Sequence, residues 1–423
     1  MLSVSDVPVT GSEAYWFSRL ATRARRMTSS AIRELLKVTE RPDFISFAGG
    51  FPAPELFPIE QINATIQRIL TTEGATALQY SATEGYRPLR EHVAARLRAQ
   101  GVPVTVDNVL ITTGSQQALD LIGKVLIEPK DPVLVEAPTY LATLQAWTVY
   151  GADFRAIPAD HQGLQVEGLG ALITPETKLL YCIPTFQNPS GSTLSLERRQ
   201  QLVELATAHR LPIVEDDPYR ELRFEGPDLP RLLEIEAAAN PSDGSEYRGN
   251  IIYLSTYSKV LAPGLRVGYV VAAAPLIKKL VQAKQGSDLH TPTLNQMVAY
   301  HLDREGVLDV QARRVAESYK ERRDVMLQAL KEQFPEGTRC SSPLGGMFLW
   351  VTLPDTRLPD GAWRYDTSLL LEKALESRVA FVPGESFFSD HSGHNTLRLN
   401  FSNSHPDLIR EGVSRLAQAL RQS

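Results

Sequence analysis

Cysteine is almost absent. Two residues in 423, Cys182 and Cys340, are too few for a disulfide framework or a closed zinc site. That scarcity fits a reduced, cytoplasmic setting. The eight histidines include no His-Glu-x-x-His, and no Cys-x-x-Cys occurs, so no metal is expected. Runs of one charge are missing as well. The densest basic cluster, Arg23-Ala24-Arg25-Arg26, is short, and the formal net charge of -5 argues against a nucleic-acid-binding surface. The longest apolar run, Tyr269 to Ile277, is too short to span a bilayer and contains Pro275, so no membrane partner is expected. Met1 to Pro8 lacks the basic and apolar segments of a secretory signal.

What is present is ordinary globular composition, 43% hydrophobic and 22% charged. The length implies two domains, or one large α/β domain with an appendage. Strand-like runs at Val109–Thr113, Pro132–Ala137, Leu179–Pro184, Leu211–Val214 and Ile251–Leu254 alternate with helical patterns, among them one opening at Gly114 and one over Leu196–His209. That alternation predicts a mostly parallel sheet wrapped by helices. Further helices are expected over Pro58–Thr72 and up to Arg98, and an amphipathic helix or helix pair over residues 14–37. The C-terminal third changes character. Helical patterns at 294–334 and 367–377 bracket short strands at Met347–Thr352, Ala380–Val382 and Thr396–Phe401, which predicts a second α+β domain.

The chemistry concentrates after the strand Ile251–Leu254, in Ser255-Thr256-Tyr257-Ser258-Lys259 and the following Arg266. Hydroxyls and a guanidinium suit a phosphate, and a lysine held in a dry cavity suits a Schiff base with a carbonyl. Together they describe a pocket for a phosphorylated aldehyde, pyridoxal 5′-phosphate (PLP). On that stretch alone, a surface lysine after a strand remains equally open. Gly114-Ser115-Gln116, between a strand and a helix start, forms an anion seat, although many such turns serve packing only. Tyr140 is either a core tyrosine or a platform for a planar ring. Asn188 is either a turn residue or an amide donor aimed at a cofactor oxygen. Gly49-Gly50 is either a plain turn or a close approach to ligand. The strand ending in Glu215-Asp216-Asp217 needs a cation or strong donor for any carboxylate it buries, and a protonated pyridine nitrogen would serve Asp216. Glu215 and Asp217 read as a solvated acidic turn.

Asn188-Pro189-x-Gly191, Asp216-x-x-Tyr219, Ser258-Lys259 with Arg266, and Arg398 within Asn395–Leu399 follow one another in an order that resembles the class I aminotransferases of PLP fold type I. Finer likeness lies in Ser30–Leu35, Ser46–Gly50, Gln79-Tyr80-Ser81, Thr112–Gln117, Gln187-Asn188-Pro189 and Asp288–Pro292. These segments resemble the bacterial 2-aminoadipate aminotransferases of lysine biosynthesis and their kynurenine/aminoadipate relatives. Ala31 is a departure, since that subgroup carries a threonine there.

The resemblance implies an N-terminal arm or helix and part of the small domain over residues 1–57, a large PLP-binding domain over 58–293 and a C-terminal small α+β domain over 294–423. It implies that Lys259 forms the Schiff base and moves the proton between Cα and C4′, that Asp216 keeps the pyridine nitrogen protonated, and that Tyr219 and Asn188 bond the phenolic oxygen. Tyr140 would stack on the ring. The phosphate would sit on Gly114, Ser115 and Gln116 with Thr256, Ser258 and Arg266, and Tyr80 would reach it from the second subunit of a homodimer. Arg398 would grip the substrate α-carboxylate with Asn188 and the backbone at Gly50. Arg33 would pair with a distal carboxylate, the alternative being a solvated helix arginine. The implied reaction is a ping-pong exchange between 2-aminoadipate/2-oxoadipate and glutamate/2-oxoglutarate. Aromatic, kynurenine or branched-chain amino acids are alternative substrates. A more distant alternative is a PLP-binding transcriptional regulator, but only about forty residues precede Phe44, too few for a DNA-binding domain.

Overall fold

Apolar runs buried at every position form the middle of the large sheet, as a sheet covered on both faces requires. The computed structural model describes residues 12–27, 35, 41, 43–240, 246–357 and 363–422. Its strands, in chain order, are β1 (Ile45–Ser46), β2 (Val109–Thr112), β3 (Pro132–Ala137), β4 (Asp153–Asp160), β5 (Gly163–Leu164), β6 (Leu179–Cys182) and β7 (Ile213–Asp216). They continue with β8 (Ile251–Thr256), β9 (Gly268–Val271), β10 (Arg339–Cys340), β11 (Phe348–Thr352), β12 (Val379–Ala380), β13 (Val382–Pro383) and β14 (Thr396–Asn400). Each fully buried Val, Leu or Ile on β2, β6 and β7 contributes about 1.5–3 kcal/mol.

Eight strands form the large sheet in the order β2-β9-β8-β7-β6-β3-β4-β5. Neighbours from β8 to β4 run parallel, while β9 lies antiparallel to both β2 and β8. The chain passes outward from β3 to β4, then returns to β6 on the other side of β3 and continues to β7 and β8. That reversal opens a crevice at the carboxyl ends of the strands, the usual ligand edge of an open α/β sheet. The loops after β2, β3, β6, β7 and β8 all emerge there.

The expected parallel sheet is therefore present, with two strands that the sequence reading did not separate. β4 carries mixed exposure rather than a clean apolar run, and β9 enters antiparallel. The helix expected over Pro58–Thr72 runs over Ile59–Ala77. The pattern at 294–334 is two helices, Thr293–Arg304 and Val307–Gln333, broken where Gly306 takes φ +74°. Near the N-terminus two short exposed helices, Ser12–Arg19 and Thr22–Arg25, are described, whereas residues 28–34 lie outside the described set.

A second sheet, β10-β11-β14-β13, is antiparallel throughout. The strand expected at Ala380–Val382 divides between partners: β12 pairs parallel with β1, and β13 pairs with β14. The β1–β12 pairing, continued by Phe47 N–H to the Ala380 carbonyl, delivers Ala48–Gly50 to the crevice. Among the described residues no helix is long and apolar enough to cross a membrane, and both cysteines are free.

Candidate active site

The first half of the site is an anion seat. Gly114, at φ +76°, turns the chain from β2 into the helix Ser115–Leu126. The opening N–H groups of a helix have no intrahelical acceptor, and the dipole concentrates positive potential there. The Ser115 hydroxyl beside them is buried without a partner, while the Gln116 side chain is exposed. A Cβ on Gly114 would collide with the Arg266 guanidinium, so glycine is what admits that side chain.

Arg266 donates to the Ser258 hydroxyl at 3.5 Å, the Pro263 carbonyl at 3.3 Å and the Thr113 carbonyl at 3.3 Å. All are neutral oxygens, and no carboxylate pairs with it among the described residues. Thr256, ending β8, donates to the Ser258 hydroxyl at 2.9 Å and accepts the Ser258 N–H at 3.1 Å. Helix N-terminus, hydroxyls and a guanidinium with no carboxylate partner make a seat for a phosphate dianion.

The second half carries the reactive groups. Lys259 is half-buried, and its Nζ donates to the Gly50 carbonyl at 2.9 Å. Burial, reinforced by the charges of Arg398 and Arg266 and opposed by Asp216, pulls its pKa down to about 8. Asp216 closes β7. One carboxylate oxygen accepts the Tyr181 hydroxyl at 2.8 Å, and the other is buried with no partner. Burial raises its pKa to about 7; the Tyr181 bond and the Lys259 charge oppose the rise, and Asp217 adds to it. An orphaned carboxylate oxygen costs about 1–3 kcal/mol or more until a donor reaches it. A protonated ring nitrogen is such a donor, so the residues present fit a pyridine ring above the seat.

Asn188, after β6, links two further groups. Its amide donates to the Tyr219 hydroxyl at 3.2 Å, and its carbonyl accepts from Arg398 at 2.8 Å. Arg398, on β14, also donates to the Ala48 carbonyl at 2.6 Å. Its guanidinium lies 4.2 Å from the Phe348 ring centre and 5.0 Å from that of Phe387, and its Nε is buried without a partner. Burial lowers its pKa to about 10, with Tyr219 and Tyr140 opposing. Tyr140 follows β3 at the start of the helix Leu141–Thr148. Burial raises its pKa; Asp216 reinforces this and Arg398 and Arg266 oppose it, which sets the ring among these groups.

Lys259, Asp216, Tyr219, Asn188, Tyr140, Arg398 and Gly50 thus gather at one crevice, beside Gly114, Ser115, Thr256, Ser258 and Arg266. Tyr80 stands apart, 80% exposed with its ring edge-on to His290 at 5.9 Å. Arg33 and Ala31 lie outside the described residues. One expectation is overturned: Glu215 and Asp217 are no solvated turn, being 1% and 3% exposed. Glu215 accepts the N–H groups of Leu232 and Leu233 at 2.8 and 3.0 Å, capping the helix Leu232–Ala239. Asp217 accepts the Tyr253 hydroxyl at 3.2 Å and pairs with Arg231 at 3.6 Å. These partners come from distant stretches, invisible from the acidic run itself. Tyr181, Phe348 and Phe387 were also missed. Only strand register places Tyr181 beside β7 and β11 beside Arg398.

Residues 44–416 match the family model Aminotransferase class I and II. The chain is 43% identical over 424 residues to aromatic-amino-acid aminotransferase 1 of Thermococcus litoralis, covering 99% of this chain and 96% of that protein. It is 46% identical over 407 residues to the 2-aminoadipate transaminase of Thermus thermophilus, covering 96% and 97%. The crystal structure of an alpha-aminoadipate aminotransferase from Thermus thermophilus, complexed with N-(5′-phosphopyridoxyl)-L-leucine, superposes with a TM-score of 0.86 at 44% identity, covering 96% of this chain and 98% of that one. A large, mostly parallel sheet with a smaller antiparallel one, and a lysine, a carboxylate and two arginines at the edge of the first, find their common account in these relatives: the chain belongs to the class I and II aminotransferases.

Proposed function

We propose that this aminotransferase exchanges amino groups between 2-aminoadipate/2-oxoadipate and glutamate/2-oxoglutarate, with a place in lysine biosynthesis. Its cofactor is PLP, which when bound supplies the electron sink for the pair left at the substrate Cα. The observation that carries the reading is the convergence on one crevice of the Lys259 amine, the orphaned Asp216 oxygen and the uncompensated Arg398 guanidinium.

With a pKa near 8, Lys259 is partly neutral at physiological pH, as an amine must be to act as nucleophile or to take the Cα proton. Asp216 accepts the ring N–H⁺ at its free oxygen. Asn188 and Tyr219 donate toward the phenolic oxygen, and Tyr140 covers the ring. Gly114, Ser115, Gln116, Thr256, Ser258 and Arg266 hold the phosphate. Arg398 has five N–H donors, two of them engaged by Asn188 and Ala48, so three remain for the substrate α-carboxylate. One crevice serves both half-reactions, which requires the first product to leave before the second substrate enters. In a homodimer, the exposed Tyr80 reaches the partner's phosphate seat.

Two features support the choice of substrate: 46% identity to a 2-aminoadipate transaminase, and the presence in the segment Ser30–Leu35 of Arg33, the cation we assign to the distal carboxylate. A broader range that includes leucine and aromatic acids is favoured by the 43% identical aromatic aminotransferase, by the leucine adduct in the related crystal structure, and by the Phe348 and Phe387 rings beside Arg398.

The decisive experiment is the absorbance spectrum of purified protein before and after excess 2-aminoadipate, without a keto acid. Conversion of the cofactor's visible band to that of its amine form establishes the half-reaction and the substrate together. A band unmoved by 2-aminoadipate yet bleached by leucine or kynurenine discards 2-aminoadipate. Arg33→Ala should weaken use of 2-aminoadipate by about 1.5–3 kcal/mol relative to leucine. Equal loss on both substrates removes Arg33 from the specificity argument.

A further inference from the structure

The segment Asp288–Pro292 takes no part in the chemistry described so far. Its first residue lies just beyond the helix Ala274–Gln285, whose Lys284 is 0% exposed. The Lys284 ammonium donates to the two Asp288 carboxylate oxygens at 2.7 and 2.9 Å and to the Gln117 side-chain carbonyl at 2.8 Å. Gln117, in the first turn of the helix Ser115–Leu126, donates its amide to Asp288 at 2.7 Å and accepts the Thr113 N–H at 2.8 Å. The Thr113 hydroxyl donates to Asp288 at 2.9 Å and lies 3.0 Å from that of Thr291. The Thr113 carbonyl, in turn, accepts from Arg266 at 3.3 Å.

This network is closed on one side and open on the other. A fully buried ammonium is strongly unfavourable unless paired and hydrogen-bonded, and here three acceptors surround it. What the assembly fixes is the turn Thr113-Gly114-Ser115. It holds that turn through the Thr113 N–H, through the Thr113 hydroxyl and through the Gln117 side chain in the helix's first turn, and the same Thr113 offers its carbonyl to Arg266. Among the side-chain groups of the turn, the Ser115 hydroxyl is left without a partner.

We propose that Lys284 and Asp288 are positioning residues for the cofactor's phosphate group. They hold the Thr113–Ser115 turn and, through Thr113, the Arg266 guanidinium in binding geometry before the phosphate arrives. Neither contacts the phosphate; their contribution is preorganisation, which lowers the ordering cost of binding. The inference rests on the reading of Gly114–Gln116 and Arg266 as the phosphate seat.

The test compares PLP with pyridoxal, which lacks the phosphate, by titrating each into cofactor-free wild type, Lys284→Met and Thr113→Val. Lys284→Met should bind PLP about tenfold or more weakly and pyridoxal within about twofold of wild type. Thr113→Val keeps the ion pair but removes one tie to the turn, and should weaken PLP alone by about threefold. Equal weakening of both ligands would make the network merely structural, and unchanged PLP affinity in the variants would overturn the proposal. Should Lys284→Met fail to fold, the ratio measured for Thr113→Val decides by the same criterion. A wild type that binds PLP no more tightly than pyridoxal would overturn the phosphate seat itself, and the positioning role with it.

Discussion

Asp216, the last residue of β7, and Asp217, the next, are equally buried, yet one meets Tyr181 of β6 and the other Tyr253 of β8. Asp217 meets Arg231, which also bonds Tyr253 at 3.0 Å, Gln100 at 2.6 Å and the Glu234 carboxylate. Nearby, Tyr257 donates to Asp303 at 2.9 Å, and Arg96 binds that carboxylate at 3.0 and 3.1 Å. On the other side, Asp216 has a tyrosine for one oxygen and nothing for the other, and Arg398 has two carbonyl oxygens and two aromatic faces. Asp217 also keeps one oxygen without a partner, so the contrast lies in charge pairing rather than in counting hydrogen bonds. Burial opposes the charge of both arginines, but Tyr253, Asp217 and Glu234 hold the pKa of Arg231 above the ordinary range, whereas that of Arg398 falls to about 10. One side has its charges paired without a ligand. The other leaves its charges unpaired, and under the proposed function a cofactor and an amino acid supply the partners.

The largest effect should come from removing the amine on the incomplete side. Lys259→Ala should reduce transamination to background, because no other amine reaches the crevice among the described residues. Its fold should survive, since the ammonium there is held against Arg398 and Arg266 rather than by a carboxylate contact. A keto-acid formation assay together with a melting curve checks both halves. Retained turnover would remove Lys259 from the chemistry.

The contrast is sharpened by exchanging each arginine for methionine. Arg398→Met should lower kcat/KM by about 100-fold or more, the equivalent of a charge-assisted hydrogen bond, and leave the melting temperature nearly unchanged. Arg231→Met should do the reverse. Stranding Asp217 and Glu234 costs about 3–5 kcal/mol of stability, with kcat/KM of the folded enzyme within about twofold of wild type. If both variants lose stability alike, the two sides are not different in kind.

How much of this was legible in the sequence divides along the same line. The crevice side was readable in part because several of its residues sit next to a local signal: a glycine and a hydroxyl before a helix, a lysine after an apolar run, a carboxylate closing a strand. Arg398 and Tyr219 entered only through the ordered resemblance, and Tyr181, Phe348 and Phe387 not at all. The local signals gave residue types only; the long-range contacts among them, such as Arg398 with Asn188 and Lys259 with Gly50, come from the fold. The complete side was misread for the opposite reason. Glu215 and Asp217 look like a solvated turn until β7 is paired with β8, which brings Tyr253 alongside, and until the chain returns with Arg231, Leu232 and Leu233. Most strands were legible from buried apolar runs, whereas β4 has mixed exposure and alternates only over its first four residues before the pattern breaks. The break at Glu305–Gly306 was missed because the apolar pattern continues through it, and the left-handed Gly306 is a single residue in about forty.

The smallest and most diagnostic change is Asp216→Asn in the cofactor-free chain. The folded state raises the Asp216 pKa to about 7 from an ordinary value of 3.8. Between those values the folded chain therefore holds a proton that the unfolded chain releases, and the stability gained from it is lost as pH rises from about 4 through 7. Asparagine keeps an acceptor for Tyr181 and has no charge to desolvate. The variant should match the wild type in stability at or below about pH 4 and exceed it at pH 8, by a difference on the order of a few kcal/mol at most. Added PLP should invert the order, because only the carboxylate gains from a ring N–H⁺. Thermal unfolding at several pH values, with and without PLP, reads both effects. Equal melting of the two proteins at every pH would mean that Asp216 is not strained in the empty site, and the distinction between it and Asp217 would fail at the residue where it is drawn most tightly.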